Sequence, residues 1–120
     1  MQDEMALSLI DQAGKDDSIQ AICFTGGEPV LLGRRLTLLV ARARSNGLFT
    51  SLVTNGYWAV SSRKAMKVAA DLSNAGLTSI TISTDSFHLP FVDSSRIEGA
   101  ISAARHHDLD ITINWVAKPG

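Results

Sequence analysis

The stretch "IQAICFTGGEP", residues Ile19 to Pro29, holds the key to the chain. Ile19 to Phe24 is a short run, apolar but for Gln20, as in a buried parallel strand. It is halted by two adjacent glycines, a carboxylate and a proline. Gly26 and Gly27 admit backbone conformations closed to other residues and let a neighbouring group touch the main chain. Pro29 then fixes the backbone beyond them.

The same punctuation recurs on either side. Before the run, Asp3 to Ala13 carries Met5, Ala6, Leu9, Ile10 and Ala13 at helical spacing, with Gly14 where a C-terminal cap belongs. After it, Arg34 to Ser45 is helical, with Leu36, Leu39, Val40 and Ala43 on one face and Asn46-Gly47 closing it. Leu48 to Val53 reads as a second strand. Ser61 caps a third helix containing Ala65, Ala69, Leu72 and Ala75, which ends at Gly76. Ser79 to Ser83 is a third strand. Ser95-Arg96-Ile97-Glu98 has the form of a capping box, opening a helix through Ile97, Ala100, Ile101 and Ala104. Asp110 to Val116 is a fourth strand.

The strands end near Thr25, Thr54, Thr84 and Asn114, at intervals of about thirty residues, the length of one βα unit. This order predicts one α/β domain over residues 1–120, with a parallel sheet, right-handed crossovers and strands in sequence order. The third strand alternates Ile80 and Ile82 with Thr81, Ser83 and Asp85. The fourth sets Ile111, Ile113 and Trp115 against Thr112 and Asn114. A sheet covered by helices on both faces would be apolar on both. One face is therefore expected to be helix-covered and the other to line a cavity, as in a barrel or partial barrel.

Composition narrows the function. The chain has 120 residues, 45% hydrophobic and 19% charged, with a net charge of −1. That balance lacks the basic excess of a general nucleic-acid binder. No apolar run approaches the ~20 residues of a membrane span, and the acidic, amphipathic start is not a secretory signal. A single cysteine, Cys23, excludes an internal disulfide and suits a reducing cytoplasm.

Ligands of α/β folds bind beyond the C-terminal ends of the strands. Here those ends read Thr25-Gly26-Gly27-Glu28-Pro29, Thr54-Asn55-Gly56-Tyr57, Ser83-Thr84-Asp85-Ser86 and Asn114. Glu28 is expected to project a carboxylate suited to an ammonium group. Asp85 across the mouth is suited to paired ribose hydroxyls. Together they suggest a nucleotide-like ligand with an amino group.

Thr25-Gly26-Gly27-Glu28-Pro29 after an apolar strand resembles the GGEP motif of radical S-adenosylmethionine (radical SAM) enzymes. Leu52-Val53-Thr54-Asn55-Gly56 resembles the TNG segment ending that family's next strand. Ile82-Ser83-Thr84-Asp85-Ser86-Phe87-His88 resembles the following strand end, commonly I-S-x-D-x-x-H. The three stand in the family's order and spacing, so the resemblance covers nearly the whole chain. It implies a partial TIM barrel of the (β/α)6 type, of which this chain supplies about strands two to five. It also implies S-adenosylmethionine as ligand, with Gly26, Gly27 and Glu28 holding the methionine amino group and Pro29 completing the motif. Asn55, Ser83, Asp85 and Asn114 are the further candidate cofactor contacts. No residue is assigned a catalytic or metal-binding role.

The sequence departs from the family at its defining motif. Three cysteines spaced CxxxCxxC ligate a [4Fe–4S] cluster there, and S-adenosylmethionine chelates the fourth iron. Its reductive cleavage gives a 5′-deoxyadenosyl radical that abstracts hydrogen from substrate. Such clusters need several thiolates. Cys23, within a strand, is expected to be a buried small hydrophobe. The cysteine loop is accordingly expected upstream of Met1, with the barrel continuing past Gly120. The resemblance implies a parent enzyme served by a reductant such as flavodoxin or ferredoxin and acting on a small molecule, peptide or protein. This chain alone is expected to be inactive and to self-associate through the open edges at Ile19 to Phe24 and Asp110 to Val116. The alternatives are a cluster-free nucleotide-binding α/β module and an unrelated fragment whose GGEP turn is structural. His88 is a loop residue that could face a substrate, and Tyr57 and Trp58 could cover an adenine or pack. His106 and His107 end a helix, where cations suit the dipole. Arg34 and Arg35 start one and read as solvated.

Overall fold

The computed structural model describes residues 3–25, 28–59, 61–85 and 94–116; the side chains of residues 3, 84, 85, 94–96, 115 and 116 fall outside that description. The elements alternate as the spacing predicts: α1 (Asp3–Gly14), β1 (Ala21–Phe24), a short 3₁₀ turn (Pro29–Leu32), α2 (Arg34–Ser45), β2 (Phe49–Thr54), α3 (Ser62–Ala75), β3 (Ser79–Asp85), α4 (Ser94–His106) and β4 (Asp110–Val116). All four strands pair in parallel, in the order β1-β2-β3-β4.

β2 lies one residue later than expected, at Phe49–Thr54, and two further boundaries differ for local reasons. β1 starts at Ala21 because a turn holds the chain just before it: Ser18 N–H donates to the Asp16 carboxylate and Ile19 N–H to the Asp16 carbonyl. β3 runs two residues beyond Ser83, because β4 pairs alongside it as far as Asp85 and Val116. The 3₁₀ turn carries no periodicity in sequence. It forms because Pro29 occupies its first position and Glu28 caps it, accepting from Val30 N–H at 3.0 Å.

Because strand order follows the sequence, the helices share one face of the sheet, α1 on α2, α2 on α3 and α3 on α4. Leu36 and Val40 of α2, Ala65, Ala69 and Leu72 of α3, and Ala100, Ala103 and Ala104 of α4 meet Leu52, Ile80 and Ile82 from the strands. Alanines bring α3 and α4 close to the sheet, and Trp58 fills the space at its C-terminal end without solvent exposure. A satellite cluster of Ile10, Ala43 and Leu48 seats α1. The opposite face is uncovered. Ser51, Thr81 and Ser83 there are half-buried, and Thr112 and Asn114 are exposed. Cys23 shares this face and is exposed, which corrects the expectation of a buried thiol. Parity decides it: Phe24 turns to the helices, so Cys23 cannot.

Ser61 caps α3 as expected, its hydroxyl accepting from Lys64 N–H at 3.2 Å. Gly76 ends α3 at φ 107°, and a Cβ there would stand 2.6 Å from Arg44 Cγ. Gly14 behaves differently from the cap that was expected. It is the last helical residue of α1 and has no positive φ; its value is closeness, since a Cβ there would lie 2.6 Å from Asn46 Cβ. That approach lets Asn46 Nδ2 donate to Asp11 Oδ1 at 2.9 Å, beside the two bonds Arg42 makes to the same carboxylate. The Arg42 guanidinium, with help from Asn46, holds the Asp11 carboxyl well below the usual carboxylate range. Gly14→Ala should therefore reverse the normal sign of a helical glycine replacement. Instead of gaining ~0.5–1 kcal/mol, the protein should lose ~1–2 kcal/mol as Asn46 is displaced. Urea unfolding of the variant measures this, and an increase in midpoint would contradict it.

Candidate functional site

The C-terminal ends of the strands carry the hydrogen-bonding groups, and the register sets their level. Thr54 pairs with Ile82, so Asn55 stands beside Ser83, which itself pairs with Asn114. Ser83 and Asn114 lie on the uncovered face. Asp85 closes β3 two residues further on, opposite Val116. Glu28, just after β1, reaches across to the end of β2. The structure thus brings Glu28, Asn55, Ser83, Asp85 and Asn114 to one end of the sheet. Gly26 and Gly27 lie outside the described residues, as does His88. Pro29 is buried at the head of its turn, where it sets the backbone.

Glu28 does not stand free in the mouth. Its carboxylate accepts from Val30 N–H at 3.0 Å and Asn55 N–H at 2.8 Å, and the Thr54 hydroxyl lies 2.9 and 2.8 Å from its two oxygens. A carboxylate has about four acceptor positions, and the donors among the described residues take three of them. The residue ties three pieces together: the GGEP turn, the end of β2 and the loop that follows it.

Thr54 and Trp58 have a role that the sequence does not reveal, as the support of the Glu28 carboxylate. Thr54 is 2% exposed. Its Oγ1 accepts from Trp58 Nε1–H at 3.0 Å and from Gly56 N–H at 3.2 Å while facing Glu28. A buried indole must find an acceptor for its N–H, and a polar residue four positions upstream was the available signal. Trp58 is core, so the adenine-covering reading fails for it. Tyr57 is half-buried at the rim, with Lys64 Nζ 5.5 Å from its ring centre. Asn55 is exposed, and its Oδ1 accepts from Tyr57 N–H at 2.9 Å, an Asx turn that fixes the loop. His106 and His107 meet edge to face at 5.0 Å at the end of α4, by the N-terminal ends of the strands and away from this site.

These residues fit an ammonium-bearing ligand, since the described donors leave an acceptor position on Glu28 and polar residues of three other strands share its end of the sheet. They do not fit an iron–sulfur cluster. The sequence has one cysteine, and no group of three His, Cys, Asp or Glu side chains among the described residues is placed to hold a metal. A groove of about 820 Å³ lies elsewhere, on the outer side of α2 and α3, lined by Val30, Leu36, Leu38, Val68, Asp71 and Leu72. Arg34, Thr37, Lys67 and Asn74 also line it, but none of the three motif segments that end β2 and β3 or follow β1 opens onto it except through Val30.

No protein-family model matches the chain. It is 33% identical over 115 residues to YydG of Bacillus subtilis (strain 168), a protein named for peptide biosynthesis, covering 95% of this chain and 36% of that one. Among solved structures it resembles native anSMEcpe with bound AdoMet and Cp18Cys peptide, with a TM-score of 0.63 and 22% identity over 94% of this chain and 34% of the other. Native anSMEcpe with bound AdoMet alone matches to the same extent. The chain spans about a third of the length of the relatives it matches. Its fold is the parallel βα sheet of a partial barrel, as the strand spacing predicts. The resemblance to a radical SAM segment, read from the three motifs, is borne out.

Proposed function

We propose that residues 1–120 are the S-adenosylmethionine-binding segment of a radical SAM enzyme, one truncated domain whose cluster cysteines lie in another part of the protein. The observation that carries this reading is the Glu28 carboxylate, oriented at the C-terminal end of the sheet by three donors among the described residues. Glu28 takes the ammonium of the ligand's methionine moiety. Gly26 and Gly27, outside the described residues, are assigned to the same moiety by the motif, and Ser83, Asp85, Asn55 and Asn114 to the nucleoside. With its cluster, the whole protein would supply a 5′-deoxyadenosyl radical for hydrogen abstraction; this chain's own residues bind and orient. A peptide is the substrate class we favour, because YydG is named for peptide biosynthesis and anSMEcpe was solved with a peptide.

Residues 1–120 alone should load no four-iron cluster and yield no 5′-deoxyadenosine after anaerobic reconstitution, because one thiolate cannot do the work of three. Iron and sulfide analysis reads this directly, and near-stoichiometric loading of monomeric protein would overturn it. A cluster-free nucleotide-binding module would be indicated instead if the full-length protein also failed to load iron while still binding S-adenosylmethionine.

The isolated segment should also self-associate. β1 and β4 each pair on one side only among the described residues, and the uncovered face offers further surface. Light scattering that gave a monomer mass at high concentration would refute this.

A further inference from the structure

We infer that Thr54 is a positioning residue for the Glu28 carboxylate, a reading that rests on the ammonium-binding role proposed for Glu28. A threonine hydroxyl has one proton and two lone pairs. Trp58 Nε1–H and Gly56 N–H, at 3.0 and 3.2 Å, occupy both lone pairs. Among the described residues the proton is left with one acceptor within reach, the Glu28 carboxylate at 2.8 to 2.9 Å. Burial keeps water from competing, since Thr54 is 2% exposed and Trp58 0%.

The direction of the hydroxyl is therefore dictated from the core outward. The indole fixes the hydroxyl, and the hydroxyl fixes the carboxylate. Val30 N–H and Asn55 N–H complete the cradle. An arriving ammonium meets an acceptor already aimed, and little rotamer freedom is lost on binding. Thr54 need touch no ligand; it acts through Glu28. A threonine that merely secured the end of β2 would weaken binding whatever stood at position 28, and this separates the two accounts.

The test compares S-adenosylmethionine affinity of the full-length protein as wild type, T54V, T54S, E28Q and the E28Q/T54V double variant. T54V should weaken binding about tenfold, the value of one hydrogen bond to a charged group. T54S should stay within about threefold of wild type. In the E28Q background T54V should cost nothing further. Because T54V orphans the Trp58 indole N–H as well as the Gly56 N–H, T54V/W58F is measured against W58F as a version in which the indole donor is already gone.

Amide exchange without ligand gives a second readout. Val30 and Asn55 should exchange faster in T54V or T54V/W58F, while Ile80 and Ile82 in β3 stay protected. The inference is overturned if T54V costs as much beside E28Q as alone, if T54S fails as badly as T54V, or if exchange at Val30 and Asn55 is unchanged. An E28Q protein that binds like wild type is a separate result: it removes the ammonium role and the positioning role with it.

Discussion

Glu28→Gln in the full-length protein should leave iron content intact while weakening S-adenosylmethionine binding about ten- to a hundredfold. The negative charge is what an ammonium would seek, and the amide lacks it. The structure adds a cost that charge alone would not reveal. Val30 N–H, Asn55 N–H and the Thr54 O–H all point at this side chain. A glutamine offers one acceptor oxygen, and its NH₂ must face at least one of those donors. The unmet donor should lower stability by about 1–3 kcal/mol, visible without any ligand. Asp85→Asn should show a milder loss of affinity, because a contact to ribose positions the ligand without matching its charge. Iron analysis, binding isotherms and urea unfolding of both variants check these outcomes. Loss of iron in Glu28→Gln would mean that the carboxylate serves the cluster and not the ammonium.

The largest loss of stability should come from Trp58→Ala. Trp58 has no solvent exposure and belongs to the main core beneath β2 and β3. Truncation removes the side chain from contact and leaves a cavity, which costs about 3–5 kcal/mol for a buried aromatic. Domains of this size have about 5–15 kcal/mol in total. The variant should unfold at a much lower urea concentration, and part of it should be unfolded at 37 °C. Trp58→Phe should cost far less, because the ring still fills most of the space and Thr54 keeps the Gly56 N–H. An alanine variant with an unchanged midpoint would show that the loop after β2 packs independently of the sheet.

What could be read in advance was whatever repeats. Alternating Ile80, Ile82 and Thr81, Ser83 revealed the covered and uncovered faces, and glycines and caps marked the ends of α2 and α3. Cys23 was misjudged because a four-residue strand carries too short an alternation to show its parity, and its apolar neighbours suggested burial on both sides. Gly14 was read as a terminator because glycine after a helix usually is one; its closeness to Asn46 is a long-range fact absent from local sequence. At the site, residue identities were legible and hydrogen-bond directions were not. Glu28 was read as an open acceptor, and only the three-dimensional arrangement shows the donors from Val30, Thr54 and Asn55. Thr54 is visible in the sequence as part of a motif, but that Trp58 donates to it depends on the direction of a buried indole.

The pairing of Ser83 with Asn114 makes the connection between α4 and β4 intolerant of changes in length. Three residues, His107 to Leu109, span it, and Asp108 turns the chain at φ 57°. Deleting one of them, with α4 anchored, would slide β4 along β3 by one position. Every side chain of β4 would then change faces, Trp115 taking the place of Asn114 beside Ser83 and Thr112 being forced under α4. A two-residue change would restore the faces but bring Val116 level with Ser83 and carry Asn114 down towards the middle of the sheet. Related proteins that keep a polar residue opposite Ser83 should therefore vary in length elsewhere, and hold this short corner constant.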